Sequence, residues 1–126
     1  MAGEQILVVE DNGKNMKLFR DVLLAAGYHV LEATTGALAV EQATEHVPDL
    51  VLMDVQLPDI NGLDTLGRLR GDERTAPIPV LAVTAQAMHG DRERFLAAGF
   101  DGYISKPVNI VELVGEVKQH CGGRAP

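Results

Sequence analysis

The chain is predicted to fold as α/β, a doubly wound five-stranded parallel sheet with helices on both faces. Three observations lead there. Short apolar runs punctuate the sequence, the strongest being Ile6-Leu7-Val8-Val9, Leu50-Val51-Leu52-Met53 and Ile78-Pro79-Val80-Leu81-Ala82-Val83. None of the three alternates with polar residues, as expected of strands covered on both faces. The stretches between them carry apolar residues at helical spacing, and strand–helix units in series call for a parallel sheet.

Ile6–Val9 forms the first strand. Asp11 or Asn12 can cap the helix that follows, whose stripe is Met16, Leu18, Phe19, Val22, Leu23 and Ala26. It ends at Leu24-Ala25-Ala26-Gly27-Tyr28, where Gly27 supplies a left-handed turn and the aromatic opens the next strand. That strand, Tyr28-His29-Val30-Leu31, is half polar. Thr34 or Thr35 starts the second helix, Leu50–Met53 is the third strand, and Asn61 caps a third helix striped by Leu63, Leu66 and Leu69-Arg70. The fourth strand, Ile78–Val83, leads into Thr84, a cap for a helix through Gln86-Ala87-Met88 and on to Phe95-Leu96. The joint Leu96-Ala97-Ala98-Gly99-Phe100 repeats the punctuation around Gly27 and delivers a weaker fifth strand at Tyr103-Ile104. Ile110, Leu113, Val114 and Val117 stripe the last helix, and a tail over 121–126 is expected to fray. Gly67, Gly90 and Gly115 fall inside these helices, where each costs up to about 1 kcal/mol with no visible compensation.

At 126 residues the chain is one domain, 1–126, without linker or low-complexity segment. Eleven Lys and Arg against eighteen Asp and Glu give a formal net charge of -7. Such a chain repels polyphosphate and anionic membrane, so direct nucleic-acid or membrane binding is not expected. No apolar run approaches the ~20 residues of a membrane span, and acids arrive too early for a signal peptide. The single Cys121 cannot form an internal disulfide, which suits a reducing compartment. The expected location is cytoplasmic.

Ligands of open α/β sheets bind beyond the carboxyl ends of the strands, at the topological switch point. The residues following each apolar run are therefore the informative ones: Glu10-Asp11-Asn12, Asp54, Thr84 and Ser105-Lys106-Pro107. Glu10 and Asp11 could favour a helix N-terminus, but two acids exceed what one cap needs and Asn12 is available. The sharper reading is a hard-cation site, since carboxylate oxygens suit Mg²⁺. Bare carboxylates would repel a flavin or nucleotide phosphate, which needs N–H donors. Asp54 could bind loop amides, or, once a cation settles the acidic cluster, offer an oxygen to phosphorus. Thr84 can cap a helix and also donate to a phosphoryl group. Lys106, followed by Pro107, would pair with Asp54. Tyr103 either fills the core edge or turns inward and outward as Thr84 moves.

The segments ILVVEDNGKN (6–15), PDLVLMDVQLPDINGLD (48–64), IPVLAVTAQAM (78–88) and AGFDGYISKP (98–107) resemble, in order and interval, the receiver domains of bacterial two-component signalling. The resemblance runs over essentially the whole chain. Segments 10–19, 52–58, 83–91 and 103–107 look most like stand-alone cell-cycle regulators within that family. It implies the flavodoxin-like, CheY-like fold and phosphoryl transfer from a histidine kinase or histidine phosphotransfer protein to Asp54. It further implies Mg²⁺ held by Asp11, Asp54 and the Gln56 carbonyl, with Glu10 acting through water. Thr84 and the Ala85 amide would bind the phosphoryl oxygens, Lys106 would bridge to them, and Tyr103 would be the switch ring. The surface of the fourth helix, fifth strand and fifth helix would then be read by a downstream protein, in cell-cycle or developmental signalling. Glu10 stands where many members have Asp. His29, His46 and His89 match no functional position.

On this reading the chain is not an enzyme, beyond catalysing its own phosphorylation and dephosphorylation. A haloacid-dehalogenase phosphohydrolase would need a second acid two residues after Asp54, where Gln56 stands. A flavodoxin-like FMN protein is at odds with the acidic first loop. A receiver domain cut from a hybrid kinase is the third alternative; Met1 just before the first strand favours a complete chain without an output domain.

Overall fold

The computed structural model of the chain describes residues 3–55, 62–84 and 91–122. Among them, β1 (Gln5–Val9), β2 (His29–Ala33), β3 (Leu50–Asp54), β4 (Val80–Thr84) and β5 (Gly102–Ser105) form one sheet. Every pairing is parallel and the order is β2-β1-β3-β4-β5. Between and after them run α1 (Gly13–Ala25), α2 (Gly36–His46), α3 (Gly62–Arg70), α4 (Asp91–Ala98) and α5 (Ile110–Val117). This is the fold class the sequence predicts.

Two apolar layers hold it together. Ile6, Val8, Leu50, Leu52, Leu81 and Val83 meet Phe19 and Leu23 of α1 and Leu113 and Val117 of α5 on one face. Leu7, Val9, Val51, Met53, Val80 and Ala82 meet Ala39 and Ala43 of α2, Leu66 and Leu69 of α3 and Phe95 of α4 on the other. Alternate residues of the central strands thus serve opposite layers, which is why β1, β3 and β4 read as unbroken apolar runs. The half-polar run and the weak run became β2 and β5, the two edges.

The joints follow local chemistry. Asn12 caps α1, its side chain accepting from the Lys14 and Asn15 amides, and Thr35 caps α2 by accepting from the Leu38 amide. Gly27 and Gly99 adopt positive φ, 95° and 114°, as their place after a helix predicts. Some expectations need correction. Leu63 and Ile110, placed on core stripes, are exposed. The buried face of α3 is Gly62, Thr65, Leu66 and Leu69, and that of α5 is Leu113 and Val117, so the first apolar residue of each stripe is rotated outward. Cys121, assigned to the fraying tail, is 2% exposed, because a π-helical turn, Lys118–Gly122, continues α5 and carries it into the α1–α5 layer. The Asn61 cap, the helix start at residues 85–90, His89, Gly90 and residues 123–126 lie outside the described residues.

Candidate functional site

The chain enters the sheet at β1, adds β2 on one side and then crosses back to place β3 on the other. The switch point therefore lies between β1 and β3, and Glu10 and Asp54 stand at its carboxyl edge. Glu10 follows β1 directly; its amide donates to the Ala33 carbonyl (3.0 Å) and its side chain is 1% exposed. Asp11 is exposed beside it. Asp54, the last residue of β3, and Thr84, the last of β4, are both buried. Lys106 follows β5, and its amide donates to the Thr84 carbonyl at 2.8 Å, which ties the lysine backbone to the end of β4. Its bond to Pro107 is cis.

One ammonium joins the acids. Lys106 Nζ donates to Asp54 Oδ2 at 3.0 Å and lies 2.9 Å from Glu10 Oε1. Glu10 Oε2 accepts from the Asn12 amide at 3.2 Å. Burial pushes the Glu10 carboxyl above its usual range; Lys106 and the Asn12 amide oppose this, and the neighbouring Asp54 reinforces it. Burial also works against the Lys106 ammonium, but its bonds to Glu10 and Asp54 outweigh that and leave its pKa raised.

Glu10, Asp11 and Asp54 each offer a carboxylate oxygen, all within 4.8 Å of one another. Asn12 satisfies the α1 N-terminus, so neither acid is needed as the cap. Glu10 Oε1 is buried and ion-paired with the Lys106 ammonium at 2.9 Å. Three clustered carboxylates carry more negative charge than one ammonium offsets, a set of hard oxygen donors that fits a Mg²⁺ ion.

The structure thus brings together Glu10, Asp11, Asp54, Thr84 and Lys106 along one rim. Gln56 and Ala85 lie outside the described residues. Tyr103 sits in β5 opposite Ala82 of β4, half-buried, with its ring 6.0 Å from that of Phe95. Reading along the sequence missed Gly62. A Cβ there would lie 2.7 Å from Val55 Cα and 2.9 Å from the Asp54 carbonyl, so α3 begins flush against the peptide that carries the site aspartate. The only trace in the sequence is a glycine opening a helix shortly after Asp54.

A model of the response regulator receiver domain matches residues 6–118. The polar-differentiation response regulator DivK of Brucella ovis is 45% identical over 119 residues, 94% of this chain and 97% of that protein. The receiver domain of the sensor histidine kinase PA1611 from Pseudomonas aeruginosa, solved with a magnesium ion coordinated in its active-site cleft, superposes with a TM-score of 0.88 at 36% identity, covering 96% of this chain and 99% of that one. A response regulator from Chloroflexus aurantiacus gives a TM-score of 0.89 at 32% identity over 95% and 98% of the two chains.

Proposed function

This chain belongs to the response regulator receiver domain family, and from that premise we propose that it accepts a phosphoryl group on Asp54. The donor is the phosphohistidine of a histidine kinase or of a histidine phosphotransfer protein. A carboxylate oxygen of Asp54 forms the new O–P bond as the N–P bond to the histidine breaks, and the imidazole leaves. The observation that carries this reading is Lys106, which reaches Asp54 and Glu10 together inside an acidic cluster.

The chain's own residues divide the work. Burial of Asp54 at the end of a central strand fixes its carboxylate and keeps bulk water from competing. Lys106 stands ready to neutralise charge on the transferred group. Thr84, at the end of the neighbouring strand, would donate its hydroxyl to a phosphoryl oxygen, a role the family resemblance also gives to the Ala85 amide. Glu10, Asp11 and Asp54, with the Gln56 carbonyl, would hold Mg²⁺. Bound there, Mg²⁺ would supply positive charge against that developing on the phosphoryl oxygens.

Phosphorylation replaces one carboxylate charge by roughly -1.5 to -2 and adds strong acceptors. These draw on Thr84, whose shift makes room for Tyr103, and the surface of α4, β5 and α5 changes for a downstream protein. The chain acts on its own acyl phosphate and on no other substrate, works in the cytoplasm, and takes a cell-cycle or developmental role, a reading supported by its similarity to response regulators named for polar differentiation. No helix among the described residues is long and apolar enough to cross a membrane.

Transfer from an autophosphorylated histidine kinase tests the reading. Wild type takes up label and Asp54→Asn, while remaining folded by circular dichroism, does not; stable labelling of Asp54→Asn would place the nucleophile elsewhere.

A further inference from the structure

The carboxyl end of α4, its buried Phe95 and the ring of Tyr103 are connected in a way that the site chemistry does not require. The Arg70 guanidinium, at the end of α3, donates to the carbonyls of Ala76 (2.8 Å), Ile78 (2.6 Å) and Gly99 (2.9 Å) and to Asp101 Oδ2 (2.8 Å). Gly99 is the turn that ends α4. Asp101 is held twice more, its amide donating to the Val80 carbonyl and its Oδ2 accepting from the Val80 amide, each at 2.8 Å. The carboxyl end of α4 is therefore clamped to α3, to the 71–79 connection and to the start of β4. A planar fork with several charge-assisted bonds is a stiff attachment.

Further along α4, Phe95 is 3% exposed and makes two ring contacts. It meets Phe100 edge-on, centroids 5.9 Å apart at 86°, and Tyr103 at 6.0 Å and 45°. Phe100 lies beside the clamped turn, whereas Tyr103 lies on β5, three residues before Lys106. Packed interiors have discrete arrangements and little slack. A rotation of the Tyr103 ring changes the surface against which Phe95 packs.

We propose that Phe95 is the positioning residue through which Tyr103 and α4 move together, with the Arg70–Gly99–Asp101 clamp as the fixed end about which α4 swings. This rests on Asp54 phosphorylation as the event that moves Tyr103, and it adds the mechanical route by which the helix follows.

The test is hydrogen exchange of the 91–98 amides, before and after phosphorylation of the full chain with acetyl phosphate and Mg²⁺, with uptake read in parallel by intact mass. Wild type and the control Leu96→Ala, altered at an exposed site on the same helix, show a phosphorylation-dependent change in α4. Phe95→Leu takes up the same phosphoryl group and loses that change; Phe95→Met, whose unbranched side chain fills irregular space more readily, repeats the loss should Phe95→Leu fold poorly. Full uptake by either variant with an unaltered α4 response overturns the proposal. Absence of uptake by wild type overturns the phosphorylation reading itself, and the two failures are separately visible. The protein has no Trp and two Tyr, so in a Tyr28→Phe background the emission of Tyr103 is an independent readout. Its response to phosphorylation changes on adding Phe95→Leu to that background if the rings are coupled, and stays identical if they are not.

Discussion

Lys106 Nζ donates to Asp54 Oδ2 at 3.0 Å while lying 2.9 Å from Glu10 Oε1, so a single ammonium sits between the end of β3 and the first residue after β1. A divalent cation bound by Glu10, Asp11 and Asp54 would share that ammonium's electrostatic task at this rim, and each would weaken the need for the other.

Lys106→Ala is therefore expected to tighten Mg²⁺ binding while slowing phosphoryl uptake. Removing a unit positive charge from three clustered carboxylates changes Mg²⁺ affinity by about tenfold or more, since ~1.4 kcal/mol suffices for each factor of ten. Calorimetric Mg²⁺ titration of the two proteins checks this; equal or weaker binding by the variant would contradict it.

Gly62→Ala is expected to damage the site from beneath. Its Cβ would meet backbone at 2.7 Å and 2.9 Å, where nothing flexible can give way, so the end of β3 must move. A loss of about 1–3 kcal/mol is expected from the overpacking, together with slower phosphorylation of Asp54. Chemical denaturation and the uptake rate are the measurements. Unchanged values for both would mean that α3 can retreat freely.

Arg70→Ala removes four hydrogen bonds that join α3, the 71–79 connection and the end of α4. With the side chain 28% exposed, a cost of about 2–3 kcal/mol is expected. Arg70→Lys should recover less than half, because an ammonium cannot hold the fork geometry. Denaturant midpoints of the three proteins decide the order.

Gly67→Ala and Gly115→Ala should each stabilise the protein by about 0.5–1 kcal/mol, because both sit within helices and an added Cβ meets nothing within 4 Å. Thermal melts of the single and double variants check this. A loss of stability on either substitution would contradict it.

Much of this was legible along the chain because the physics involved is local. Unbroken apolar runs mark strands covered on both faces, and glycine after an Ala-Ala pair marks a left-handed helix end; Gly27 and Gly99 both obey. The acids, Thr84 and Lys106 were found because strand ends are easy to locate once the strands are. What escaped depends on distant parts of the chain. Leu63 and Ile110 read as core because the helical period does not say where a helix first meets the sheet. The sheet-facing side of α2 is Gly36, Ala39 and Ala43, too weakly apolar to stand out as a stripe. Val47 ends α2 in a left-handed conformation, φ 47°, that a β-branched residue seldom adopts. Arg70 reads as an ordinary surface cation until the fold brings Gly99 and Asp101 to it. Gly62 needs only the backbone of Val55 and Asp54 to explain it, and that approach exists only once α3 is docked.

The most direct measurement is intact mass followed by peptide mapping after incubation with Mg²⁺ and acetyl phosphate, with and without chelator. One phosphoryl group per chain is expected, mapped to Asp54, absent in Asp54→Asn and absent when Mg²⁺ is chelated. A modified Asp54→Asn, or a phosphoryl group mapped to any other side chain, would contradict the account.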